Sequence, residues 1–98
     1  MKLDREQIAN TLNQHKELFR MNYSIENLGI FGSFAREDNT QTSDIDILVR
    51  FSQPLGFFKF IELENYLTKL LGRKVDLVTE RALKPAIKND VLREVMYV

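Results

Sequence analysis

A Gly-Ser pair and three aspartates carry the chemical types and the spacing that a phosphate and metal site requires. Gly32-Ser33 is followed, after ten residues, by Asp44-Ile45-Asp46. From Asp44 to Phe51 apolar residues alternate with period two, which sets Ile45, Ile47 and Val49 on one face and Asp44, Asp46 and Leu48 on the other. Both carboxylates then point the same way, roughly 7 Å apart along a strand. Bare carboxylates at that distance repel one another and resist burial. A hard divalent cation removes the conflict, and Mg²⁺ is usually held by one or two carboxylates together with the phosphate oxygens of a substrate. Gly32 ends the apolar run Leu28, Ile30 and Phe31 and, having no side chain, permits both a bend and a close approach of ligand. Ser33 is suited to cap a short helical segment Phe34-Ala35-Arg36, whose free N–H groups would face the same place. Gly-Ser alone marks a turn and Asp-x-Asp alone a solvated strand face, so the specificity lies in their combination.

Several elements must position these residues. Asp4 and Gln7 form a capping-box pattern, and Ile8, Leu12, His15 and Phe19 recur on one face, predicting a single opening helix that packs on a sheet. His15, the only histidine, is remote in sequence from the aspartates and fits the rim of the core. After a connection over Met21 to Ser24, a strand is expected from Ile25 to Phe31. A polar loop from Glu37 to Ser43 leads to the Asp-x-Asp strand. Pro54 and Gly56 mark a loop before a long helix over Phe57 to Leu71, with Phe60, Leu63, Leu67, Leu70 and Leu71 on one stripe and Gly72 as C-cap. Adjacent Phe57 and Phe58 cannot both face one core, so one is either a partner contact or covered by a loop.

A further strand, Val75 to Thr79, buries Val75 and Leu77 and leaves Asp76 on the other face with Val78. An acid there is costly unless it is metal-bound or paired with Arg73 or Lys74. A last helix starts at Pro85, presents Ile87, Val91 and Val95, and is expected to run to the end of the chain. The order α-β-α-β-α-β-α predicts an α/β (α+β) domain of two or three layers around a small sheet.

The 98 residues, 44% of them hydrophobic, suit one small domain over 1–98 and leave no room for a second domain to hold a substrate. Fourteen basic residues balance fourteen acidic ones, so the basic excess of a general DNA or RNA binder is missing. Without cysteine there is no disulfide framework and no thiolate metal site. The N-terminus lacks a signal-peptide core, and no apolar run approaches the ~20 residues of a membrane span. A soluble cytoplasmic protein is expected.

Gly-Ser, ten residues, then Asp-x-Asp resembles the signature of the minimal nucleotidyltransferases of the DNA polymerase β superfamily, without insertion. The resemblance is clearest from Leu28 to Val78 and implies a single domain of the polymerase β-like nucleotidyltransferase fold, a mixed β-sheet packed by helices. It implies that Asp44, Asp46 and Asp76 are the catalytic, metal-binding carboxylates, with Asp76 taken from the strand after the long helix. It further implies Gly32 and Ser33 as seats for the nucleotide phosphates, Mg²⁺ as cofactor and ATP as donor, with Asp76 helping to activate an attacking hydroxyl as metal ligand or base. One departure stands out: members of the group often place glycine after Gly-Ser-x-Ala-Arg, where this chain has Glu37. Arg36 is a candidate for phosphate contact or for bracing through an acidic partner, and bracing is favoured.

Larger members of the superfamily hold antibiotics, RNA or DNA with extra domains. The small stand-alone members resemble the antitoxin halves of toxin–antitoxin pairs, whose partner is a helical HEPN-domain ribonuclease toxin. By that resemblance the protein transfers AMP from ATP to a tyrosine of the toxin and silences it, as part of a homo- or hetero-oligomer. Two other readings stay open: a non-catalytic module that masks the toxin, and a small-molecule nucleotidyltransferase completed by a partner subunit.

Overall fold

The computed structural model describes residues 3–98. Asp4 caps helix α1 (Arg5–Gln14) by accepting the Gln7 N–H, while the Gln7 side chain accepts the Asp4 N–H, so the capping box is complete. The chain then departs from the single opening helix that the periodicity predicted. His15 leaves helical geometry at φ −106°, ψ 9°, and a second helix, α2 (Lys16–Tyr23), follows. The apolar stripe survives the break, since Ile8, Leu12 and Phe19 are all fully buried. His15 lies at the margin: its Nδ1 donates to the Thr11 carbonyl at 2.9 Å and its ring stands beside Phe19.

Strand β1 (Ile25–Phe31) runs into the short helix α3 (Gly32–Arg36), and strand β2 (Ile45–Phe51) returns antiparallel to β1. Helix α4 (Phe57–Leu71) ends on Gly72 at φ +70°, the left-handed cap that glycine adopts without strain. It carries the chain over to strand β3 (Val75–Thr79), parallel to β2. After a 3₁₀ turn (Glu80–Ala82), helix α5 (Pro85–Glu94) begins with proline at its first turn. The expectation that this helix reaches the chain end is overturned. It stops at Glu94, and Met96–Tyr97 forms strand β4, antiparallel to β1. The sheet is therefore mixed and four-stranded, in the order β3-β2-β1-β4.

Alternation along the strands gives the sheet two apolar faces. Ile30, Ile45, Ile47, Val49, Val75 and Leu77 face α1, α2 and α4, meeting Ile8, Leu12, Phe19, Leu63 and Leu67 in the main core. Phe31 and Leu48 face the other way and pack with Leu83 and Val91, forming a smaller core under α5. Three layers result, helices on both sides of the sheet. Edge strand β3 is protected by α4, whose Thr68 hydroxyl accepts the Val75 N–H and whose Glu64 carboxylate accepts the Leu77 N–H. Among the described residues no helix is long and apolar enough to cross a membrane.

Candidate active site

The side of the sheet that carries α5 is not covered along its whole length. Beyond Phe31 and Leu48 lies a rim built from the end of β1, the start of β2 and the start of β3, and the residues singled out in the sequence meet there. Register explains why. Asp46 pairs with Phe31 of β1 on one side and with Asp76 of β3 on the other, so Asp46 and Asp76 stand side by side on parallel neighbours with their side chains on one face. Asp44 sits one residue before β2, anchored through the next N–H, which Ile45 donates to the Lys74 carbonyl at 2.9 Å. Asp46 is half-buried, whereas Asp44 and Asp76 are exposed.

Gly32 turns the chain out of β1 at φ +72°. A Cβ at that position would lie 2.1 Å from Asp46 Oδ2, so the close approach that glycine permits is to the Asp46 carboxylate itself. Ser33 follows in the first turn of α3 but does not cap it; the N-cap is Phe31 and no side chain fills that role, which corrects the expected serine cap. The turn ends at Glu37, a non-glycine residue in the left-handed region at φ +63°. This is the position at which the resembled group often has glycine. Glu37 is held by a 2.6 Å ion pair with Arg5, whose Nη1 also donates to the Ala35 carbonyl.

Charge around the rim is sorted by the basic residues. Arg36 braces: Nε pairs with Asp38 at 3.1 Å, and Nη1 reaches both oxygens of Glu94 at 3.3 and 3.2 Å. Arg73 staples the loop before Asp44, donating to the carbonyls of Thr40 and Ser43 while its guanidinium lies over the Phe34 ring. Lys74 faces Asp44 at 3.8 Å. The pairing of Asp76 with Arg73 or Lys74 is not made; both cations are directed elsewhere, and among the described residues Asp76 has no ion pair. Burial, then the neighbouring Asp76 and Asp44 carboxylates, push the Asp46 carboxyl up to about 6, with Arg36 acting the other way and Glu94 adding to the rise.

This donor set fits a hard divalent cation. An acidic group whose ionised form is disfavoured by two further carboxylates is relieved by a cation, and oxygen is the ligand type Mg²⁺ takes. Among the described residues no three such groups converge closely enough to hold a metal unaided. A cation here would take the rest of its ligands from water and substrate phosphates.

Glu94 is the site residue that sequence reasoning missed. Its Oε1 accepts the Gly32 N–H at 3.0 Å across 62 residues of chain. No signal pointed to it while the last helix was expected to reach the chain end; its stop at Glu94 is what places the carboxylate in a last turn, against the backbone dipole.

Comparison with known proteins gives the family. Residues 12–98 match the family model of the nucleotidyltransferase domain. The chain is 46% identical over 93 residues to the protein adenylyltransferase MntA of Thermococcus cleftensis, covering 95% of this chain and 94% of that one. It is 42% identical over 93 residues to a candidate protein adenylyltransferase of Methanocaldococcus jannaschii, covering 94% and 95%. Among solved structures, a minimal nucleotidyltransferase superposes with TM-score 0.79 at 32% identity, covering 96% of this chain and 95% of that one. A toxin–antitoxin structure with AMP-PNP gives 0.71 at 28%, covering 87% and 69%. The Shewanella oneidensis complex of a tri-AMPylated HEPN toxin with its MNT antitoxin gives 0.66 at 25%, covering 92% and 70%. With nearly nine-tenths of its length inside the family model and the fold of a minimal nucleotidyltransferase, the chain belongs to the nucleotidyltransferase domain family, as a minimal nucleotidyltransferase.

Proposed function

We propose that this protein transfers AMP from ATP, with Mg²⁺, onto a tyrosine of a helical HEPN-domain toxin and acts as its antitoxin. The observation that carries this reading is the meeting of Gly32, Asp44, Asp46 and Asp76 at one rim, in a chain 46% identical to a protein adenylyltransferase. Asp44, Asp46 and Asp76 would hold Mg²⁺, which when bound neutralises triphosphate charge and polarises the phosphoryl group under attack. Gly32 and Ser33 would form the turn on which the phosphates rest, Gly32 by leaving room for the Asp46 carboxylate beside them and Ser33 by its hydroxyl. Asp76, exposed at the edge strand, is placed to orient an attacking hydroxyl that arrives from outside. The O–P bond to the acceptor forms as the α–β phosphoanhydride breaks, pyrophosphate departs, and the hydroxyl proton passes to a carboxylate or water.

The reading takes a macromolecular acceptor, because the exposed Asp44 and Asp76 leave the rim open to a partner's side chain. Intact-mass spectrometry of the toxin after incubation with the protein, Mg²⁺ and ATP tests the reading. A gain of about 329 Da per group is expected from AMP transfer, and Asp44→Asn should abolish it. A toxin left unmodified yet inhibited equally by wild type and Asp44→Asn would make the protein a masking module instead.

A further inference from the structure

Glu94 ends α5 with a negative charge where the helix dipole disfavours one. Its contacts account for that placement. One oxygen accepts the N–H of Gly32, and the carboxylate also takes Arg36 through both oxygens. Arg36 has a second acidic partner in Asp38, so it does not depend on Glu94 to be neutralised. Gly32 is different. It is buried at the point where β1 gives way to α3, and a buried backbone donor needs an acceptor. Because the Gly32 Cα lies against Asp46, a rotation of the peptide before Gly32 displaces the carboxylate it touches.

The arm that delivers Glu94 is held at both ends. Val91, one turn earlier, is buried in the smaller core. Val95, the next residue, covers Gly29 so tightly that a Cβ there would lie 2.4 Å from Val95 Cγ2, and Met96 then pairs with Ile30. Glu94 therefore reaches Gly32 from a fixed base rather than from a mobile end.

We infer that Glu94 is a positioning residue for nucleotidyl transfer: its carboxylate fixes the left-handed turn at Gly32, and through that turn the placement of Asp46 and of the phosphate seat. The inference rests on the nucleotidyl-transfer reading above and assigns it a residue outside the aspartate set. Glu94→Gln keeps an acceptor oxygen for the Gly32 N–H, whereas Glu94→Ala and Glu94→Leu remove it.

The test uses the full chain with two measurements. The first, without nucleotide, is the ¹H–¹⁵N resonance of the Gly32 amide and its hydrogen-exchange protection. The second is calorimetric titration with Mg·ATP. In the two non-accepting variants the amide should shift upfield and lose protection, and Mg·ATP should bind about tenfold more weakly, the effect of losing one hydrogen bond to a charged group. Glu94→Gln should stay within about threefold of wild type. Two results would overturn the inference: wild-type Mg·ATP affinity in Glu94→Ala and Glu94→Leu, or an equal loss in Glu94→Gln. Failure of the wild type itself to bind Mg·ATP would instead overturn the nucleotidyl-transfer reading, and the Gly32 amide would still decide whether Glu94 sets the turn.

Discussion

Asp46 is half-buried beside two other carboxylates, and its carboxyl is pushed up to about 6, above the ordinary 3.8 that it recovers on unfolding. Between these values the folded protein binds more protons than the unfolded chain, so stability falls as pH climbs from about 4 to about 6 and stays lowered above that range. Asp46→Asn, which cannot ionise, should therefore raise stability at pH 7.5 and not at pH 3.5. The gain should be about 1–2 kcal/mol once solvent screening of a half-exposed group is allowed for. Chemical denaturation at the two pH values measures it, and equal midpoints at pH 7.5 would refute it. If Asp46 holds Mg²⁺ as proposed, protons compete for the same carboxylate and Mg²⁺ affinity should weaken as pH falls through about 6. Gly32 offers a second test. Gly32→Ala combines a strained φ of +72° with a Cβ placed against Asp46 Oδ2 and should cost about 2–4 kcal/mol. In an Asp46→Ala background the cost should shrink, a non-additivity that a double-mutant cycle reads directly. The aspartates were legible because alternation in β2 and β3 fixes which face each occupies. What Gly32 lies against was not, because that contact depends on how the turn out of β1 meets β2.

At the scale of elements, β1, α4 and β3 occupy the spans that their apolar patterns predict, α4 and β3 with an unbroken period and β1 across a register shift between Ile25 and Asn27. The break at His15 was invisible for the same reason: spacings of four, three and four continue across it while the backbone leaves the helix. Strand β4, with two residues, is too short to show any period, and only its pairing with β1 defines it. Helix α3 exposes a different sort of conflict, a glutamate in the left-handed conformation at its C-terminal end. Glu37→Gly and Glu37→Ala both lose the Arg5 ion pair, but only glycine relieves the backbone. The glycine variant should be the more stable of the two by about 1 kcal/mol, judged by thermal or urea unfolding. Equal stability would mean that the turn carries no strain.

Taken whole, the molecule keeps its chemistry and its most exposed aromatic surface apart. Phe57 and Phe58, 72% and 85% exposed, stand edge to face at the start of α4, while the aspartates occupy the opposite ends of β2 and β3. Under the antitoxin reading, Phe58→Asp should weaken toxin binding tenfold or more and leave Mg·ATP affinity unchanged, which pull-down and calorimetry can compare. Loss of both together would point to damage to the fold. The parallel pairing of β2 with β3 also sets the order in which competence is reached during folding. β1 and β2 are joined by residues 32–44, the shortest closure among the pairings of the sheet, so they are expected to pair first and bring Gly32 to Asp46. Asp76 reaches them only when α4 has crossed over and docked Leu63, Leu67 and Leu71, a non-local closure that carries the larger entropy cost and so comes late. Under the nucleotidyl-transfer reading, a nascent or partly unfolded chain would hold two of the acids without the third and without the Glu94 carboxylate that fixes the Gly32 turn, and would spend no ATP until those elements have docked.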